Sequence, residues 1–223
     1  MERHFEHELD QLKTNLIRMG NIVDAQLENA CDSLFGGNLP LAKEVIRNDA
    51  EVDALDTQID RQCLGIFALT QPVAIDLRLL MSALKINSQL ERIGDIAVNI
   101  AERVEPLQGQ LGFLKETRLS EMAEIARIMV RDSLDSFVRN DVALATRVLA
   151  SDDVVDNLDR QIFYHLIAVM EEHHDLIAPA SHMLILGRHL ERMADHATNI
   201  AEDVIFLVQA RMVKHNAIQE EQQ

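Results

Sequence analysis

The chain repeats itself, and a fold must be able to use one unit twice. Residues 91–104, Glu91-Arg-Ile-Gly-Asp95-Ile-Ala-Val-Asn99-Ile-Ala-Glu102-Arg-Val104, return as Glu191-Arg-Met-Ala-Asp195-His-Ala-Thr-Asn199-Ile-Ala-Glu202-Asp-Val204, with 9 of 14 positions identical at an offset of 100. Earlier in each half the offset is 103. Asn38-Leu-Pro-Leu41-Ala-Lys-Glu-Val45-Ile46 answers Asp141-Val-Ala-Leu144-Ala-Thr-Arg-Val148-Leu149, and Asp49-x-x-x-Asp53-x-Leu55-Asp56 answers Asp152-x-x-x-Asp156-x-Leu158-Asp159. An internal period of this length marks one structural unit used twice. The three-residue slip falls where a turn between a second and a third helix absorbs it.

The unit is helical. The 223 residues hold only 8 Gly and 4 Pro, and they are 48% hydrophobic but 4% aromatic. A sandwich or barrel needs aromatic and β-branched strands closed by many Gly/Pro turns, so an all-β fold is excluded. The breakers act as punctuation: Gly36-Gly37-Asn38 with Pro40, then Pro72, then Pro106 through Gly109 to Gly112, then Asn140-Asp141, then Pro179. They cut the chain into six segments. In the third, Ile86, Leu90, Ile93, Ala97, Ile100 and Val104 recur at steps of three and four, one face of a helix. The expectation is an all-α fold of two tandem pseudo-symmetric three-helix bundles, six long antiparallel helices in all. The first bundle covers residues 1–108 and the second 113–213, with a polar tail, 214–223, that frays.

Charge narrows the function. Lys and Arg number 21 against 37 Asp and Glu, a formal net charge of −16. Such a surface repels phosphate backbones and anionic lipid, which argues against sequence-independent nucleic-acid binding, and cations or basic patches on proteins are the natural partners. No segment approaches the 18 or so apolar residues of a membrane span, and the start, Met1-Glu-Arg-His-Phe-Glu-His7, lacks the apolar run of a signal peptide. The expected location is cytoplasmic. Cys31 and Cys63 sit in apolar helical patterns without metal-type spacing and read as reduced core residues.

The acids are patterned. Each half carries Asp-x-x-x-Asp on its second helix and Glu-x-x-x-Asp on its third, a spacing that stacks both carboxylates of a pair on one face. Without a cation such pairs repel. On the third helix Glu91, Asp95, Asn99 and Glu102 share a stripe roughly 80° wide, opposite the apolar stripe. If helices two and three are antiparallel about Pro72, Asp53 is level with Glu91 and Asp49 with Asp95. About His173–His174 the same holds for Asp156 with Glu191 and Asp152 with Asp195. Four carboxylates and an Asn amide per half suit hard or borderline cations: Mg, Ca, Mn, Fe or Zn. A solvated acidic face is the plain alternative, and duplication by descent alone would preserve it.

These residues resemble the PhoU family, accessory proteins of phosphate-specific transport. The resemblance rests on the duplicated three-helix organisation and on Glu91-Arg-Ile-Gly-Asp95 and Glu191-Arg-Met-Ala-Asp195, each followed by Asn-Ile-Ala-Glu. It implies a cytoplasmic regulator that keeps the phosphate-starvation response off when phosphate is plentiful. The implied partners are the phosphate ABC transporter ATPase and a membrane sensor histidine kinase, with the membrane reached through them only; a homodimer is compatible. Family members bind iron, zinc, manganese or magnesium through such motifs. By resemblance the metal candidates are Asp49, Asp53, Glu91 and Asp95 with Asn99, and Asp152, Asp156, Glu191 and Asp195 with Asn199. Ala194 replaces Gly94, and His196 replaces Ile96, as an added ligand or as an ordinary exposed histidine.

Other features carry less. Glu171-x-x-His174 has the spacing of a di-iron ligand pair but stands once, near a turn. Arg92 and Arg192 read as local ion-pair partners of neighbouring carboxylates rather than as a cationic edge for a phosphate. No Gly-rich phosphate loop and no nucleophile–base pattern stands out, so the reading is a regulatory adaptor and not an enzyme. The alternative is a metal-binding or metal-buffering helical protein without a phosphate-signalling role.

Overall fold

The computed structural model of the chain describes residues 2–213. The expected polar tail 214–223, with His215, lies outside the described residues. Seven helices follow in order: α1 (Glu2–Gly36), α2 (Leu39–Leu69), α3 (Ala74–Ala101), α4 (Leu111–Glu116), α5 (Leu119–Arg139), α6 (Val142–Glu172) and α7 (Ile177–Gln209). A single 3-10 turn, His174–Leu176, precedes α7, and the described residues contain no strand.

The punctuation works through local chemistry. α1 runs into Gly37, whose φ of +65° is a left-handed stop, and Asn140 closes α5 in the same way at φ 52°. A Cβ on Gly37 would also lie 2.8 Å from Leu111 Cδ1. The next residue caps the following helix in both halves. Asn38 Oδ1 accepts from the Leu41 amide at 3.2 Å, and Asp141 Oδ1 accepts from the Leu144 amide at 2.9 Å.

Two breakers behave otherwise than expected. Pro179 does not cut the chain: the break is at His173–Leu176, and Pro179 sits in the first turn of α7, where its missing N–H has no partner to lose. The stretch after Pro106 is not a bare linker either. Leu107, Leu111 and Leu114 recur at helical spacing, and α4 forms there with Leu114 wholly buried.

Helices α1, α2 and α3 pack together, as do α5, α6 and α7. Along α1 the buried row Leu9, Leu12, Leu16, Met19, Val23, Leu27, Ala30 and Leu34 advances by three and four, the signature of a helix embedded along one side. The halves also join, with α3 against α7 and α1 against α5, so one continuous apolar core runs through both.

The α3–α7 seam is antiparallel. Arg78 Nε donates to the Leu207 carbonyl at 3.3 Å, Ser82 Oγ to the Asp203 carbonyl at 3.3 Å, and Lys85 Nζ meets Asp203 Oδ1 at 2.8 Å. Further along, Gln89 Oε1 and His196 Nδ1 are 2.7 Å apart, and Arg103 Nη1 lies 3.4 Å from His182 Nδ1. The pairs 78–207, 82–203, 89–196 and 103–182 are all centred between residues 92 and 93 on α3 and between 192 and 193 on α7. That is the same point of both repeats, so a pseudo-twofold axis passes between Arg92 and Arg192.

Candidate functional site: two acidic seams

In each half the second helix presents a buried stripe with one acid set into it. On α2 the stripe runs Val45, Val52, Leu55, Ile59, and Asp49 takes the place between Val45 and Val52. On α6 it runs Val148, Val155, Leu158, Ile162, and Asp152, 6% exposed, takes the equivalent place. Helical spacing explains both: a residue four beyond one core position and three before the next shares its face.

Across from Asp49 lies the acidic stripe of α3. Burial, then Asp53 and Asp95, push the Asp49 carboxyl above its ordinary range. Glu91 is raised by burial first, then by Asp95, Asp56 and Asp53, with Arg92 pulling the other way. The structure therefore brings Asp49, Asp53, Glu91 and Asp95 together across the α2–α3 seam. Asp53 and Asp95 stand in solvent; Asp49, Glu91 and Asn99 are half-buried.

The second half follows suit with differences. Glu191 is raised by burial, then by Asp195, Asp159 and Asp156, and is opposed by Arg188, whose Nη1 lies 3.5 Å from Glu191 Oε1. Its other oxygen, Oε2, is buried without a hydrogen-bond partner. Asp152 lines an open pocket of about 370 Å³ with Asp195, Asn199, Glu202, Arg192 and His196.

Sequence reasoning missed Asp56 and Asp159. Asp56 accepts from Asn87 Nδ2 at 2.7 Å, which ties α3 to α2, and burial followed by Asp60 and Asp53 raises it. Asp159 is raised by burial and Asp156 against Arg188, and its Oδ1 is 3.0 Å from where a Cβ on Gly187 would stand. The signal was present: both close the Asp-x-x-x-Asp-x-Leu-Asp repeat, three residues past Asp53 and Asp156 on the same face.

His196 is not an exposed histidine. It is 7% exposed in the α3–α7 seam, where its Nδ1 and, at 3.3 Å, Asn199 Nδ2 both face Gln89 Oε1. Burial, reinforced by Arg92 and Arg192, lowers its pKa to about 4, so the ring is neutral at neutral pH. At the offset of 100 Gln89 answers His189 and His196 answers Ile96, so only one side of the axis carries this bond. Cys31 and Cys63 are free and buried, and burial pushes each thiol up to about 12.

The donor set fits a hard cation. Carboxylates from two helices raise one another's pKa, and one buried glutamate oxygen has no partner; a divalent ion relieves both. As the side chains stand, no group of three His, Cys, Asp or Glu among the described residues is arranged to hold a metal ion. The exposed acids of the two sets are Asp53, Asp95, Asp156 and Asp195.

Comparison with known proteins gives a consistent result. A family model described as the PhoU domain matches residues 16–104 and again 119–204. A protein of Aquifex aeolicus named phosphate-specific transport system accessory protein PhoU homolog is 40% identical over 213 residues, 96% of each chain. One of the same name from Xylella fastidiosa is 36% identical over 92% of this chain and 87% of its own. Among solved structures, PhoU from Pseudomonas aeruginosa superposes with a TM-score of 0.87 at 33% identity, covering 93% of this chain and 100% of that one. The phosphate transport system regulatory protein PhoU from Streptococcus pneumoniae gives 0.85 at 25% identity, covering 94% and 99%.

Proposed function

The chain belongs to the PhoU family, and on that premise we propose that it is an accessory regulator of phosphate-specific transport. It acts as an adaptor, not a catalyst, holding the phosphate-starvation response off while phosphate is plentiful. The observation that carries the reading is the match of both halves to the PhoU domain within relatives aligned over nearly their whole length. Its partners are the ATPase of the phosphate ABC transporter and the sensor histidine kinase, met on the cytoplasmic face of the membrane. No helix among the described residues is long and apolar enough to cross a membrane, which is consistent with attachment through partners. To regulate, the adaptor must bind one state of that assembly better than another, since equal affinity shifts nothing.

The acidic seams are its metal sites in this proposal. Asp49, Asp53, Glu91 and Asp95, with Asn99 one turn on, hold one ion; Asp152, Asp156, Glu191 and Asp195, with Asn199, hold the other. A bound iron, zinc, manganese or magnesium ion would neutralise the clustered carboxylates and clamp the second and third helices of each half together. Oxygen-only donors favour the harder members of that series.

The test is alkaline phosphatase activity in phosphate-rich medium, with and without the gene. Activity is expected to rise on deletion and to fall again with a plasmid copy. Unchanged low activity, together with failure of the purified protein to retain transporter ATPase or kinase, would reject the adaptor reading. The metal-buffering reading, favoured by the duplicated acids, would then stand alone.

A further inference from the structure

The first acidic seam contains a polar side chain that the second lacks. Gln26, on α1, is 5% exposed, and neither its Oε1 nor its Nε2 has a hydrogen-bond partner. A buried polar atom without a partner destabilises the fold that holds it. Among the described residues no other side chain has both a donor and an acceptor stranded in this way.

Its position explains what it faces. Gln26 Oε1 is 3.6 Å from the point a Cβ would take on Gly94, and Asp49 Oδ1 is 3.4 Å from the same point. Val52 Cγ1 is 3.3 Å from it as well, so the absence of a side chain at Gly94 is what lets Val52 and the oxygens from α1 and α2 close in on the backbone of α3.

The repeat shows that the two features go together. The offset of 103, carried back along α1 and α5, pairs buried Leu16 with Leu119, Met19 with Met122 and Leu27 with Val130. It pairs Gln26 with Met129, and the offset of 100 pairs Gly94 with Ala194. Met129 is 2% exposed and Ala194 1%. In the second half, then, the carboxamide and the glycine are replaced together, and an apolar side chain of similar length takes the place with no stranded atom. Packing alone gives no reason to keep Gln26.

We propose that Gln26 is a neutral oxygen donor to a hard divalent cation in the first seam, with Asp49 as its neighbouring carboxylate. Amide oxygens are ordinary ligands for such ions. The two seams are therefore unequal, and the first holds the ion at least about tenfold more tightly, the scale on which single partners tune a metal site. The inference rests on the metal reading of the seams given above.

The test is titration calorimetry of the full-length, metal-free protein with Mn2+, paired with thermal unfolding in chelator. Wild type is expected to show two classes of site. Gln26→Met is expected to weaken the tighter class at least about tenfold, to leave the weaker one alone, and to raise the metal-free Tm. The raised Tm follows from removing two stranded polar atoms, and it certifies that the variant is folded. Gln26→Glu keeps an oxygen donor and is expected to keep the tight class, which covers the case in which the Met variant fails to fold. Two classes in wild type that persist unchanged in Gln26→Met, or loss of the tight class in a folded Gln26→Glu, would overturn the assignment of Gln26 and leave the metal reading intact. No Mn2+ uptake by wild type would overturn the metal reading and this assignment with it.

Discussion

Asp49 occupies a stripe position where Val45, Val52 and Leu55 show that an apolar residue would pack. Its carboxyl is raised by burial and by Asp53 and Asp95, so the folded protein holds its proton more tightly than the unfolded chain does. The sign follows. A raised carboxyl favours the folded state at acid pH and loses that contribution as pH climbs through the folded value. In the metal-free protein Asp49→Asn is therefore expected to be more stable than wild type at pH 7.5, by up to about 1 kcal/mol after solvent screening. The gap should close as pH falls toward the ordinary Asp range; thermal unfolding in chelator at several pH values checks it. His196 runs the opposite way. With its pKa lowered from 6.5 to about 4, it contributes stability above pH 6.5 that drains away as pH falls toward 4. His196→Gln should flatten that acid-side loss by on the order of 2 kcal/mol, read from the same curves. Wild type at pH 5 is thus a balance of two groups, and neither variant alone reproduces it.

At the scale of the helix, Asn38 and Asp141 do the same work in the two halves, each accepting from the amide three residues on. Asn38→Ala and Asp141→Ala should each cost about 1 kcal/mol in urea unfolding. A loss in one half but not the other would break the equivalence of the repeats at their caps. These elements were legible in advance because their causes are local: a left-handed residue, a cap, a proline and a three-four row of apolar side chains can all be read from neighbours. The level of the α2 acids against those of α3 was legible too, since an antiparallel pair has only one free parameter, its turn. What lay outside local reading depends on a third helix. Nothing around Gln26 in sequence says that it lies beside Gly94, as Asp49 does, and nothing around His196 says that Gln89, 107 positions earlier, covers it. Pro179 misled for a related reason, because its own helix starts at Ile177, ahead of the proline, and that start was marked only by the weak turn at His173–Leu176.

For the whole molecule the decisive feature is the shared core. Apolar side chains of both halves form one cluster, and Asp203, 7% exposed, takes its charge partner Lys85 from the other half at 2.8 Å. Lys85→Ala strands that carboxylate in the seam and should cost about 2 kcal/mol, less than a fully buried pair because Lys85 itself is half in solvent. Asp203→Asn should cost under about 1 kcal/mol by comparison, since no charge is left behind. Hydrogen exchange followed by mass spectrometry should then show the slowest amides of α3 and α7 opening together at a single free energy; two separate values would mean that the halves are independent folding units. The axis between Arg92 and Arg192 has one more consequence. Two like units that grip each other about a twofold are, in architecture, a dimer, and here a continuous backbone joins them. Their union is an intramolecular event, set by the short segment around α4 and independent of how much protein the cell makes. An ancestor built from separate copies would have come apart on dilution; this chain carries its partner with it, and each copy is free to change without asking the other, as Gln26 and Met129 already have.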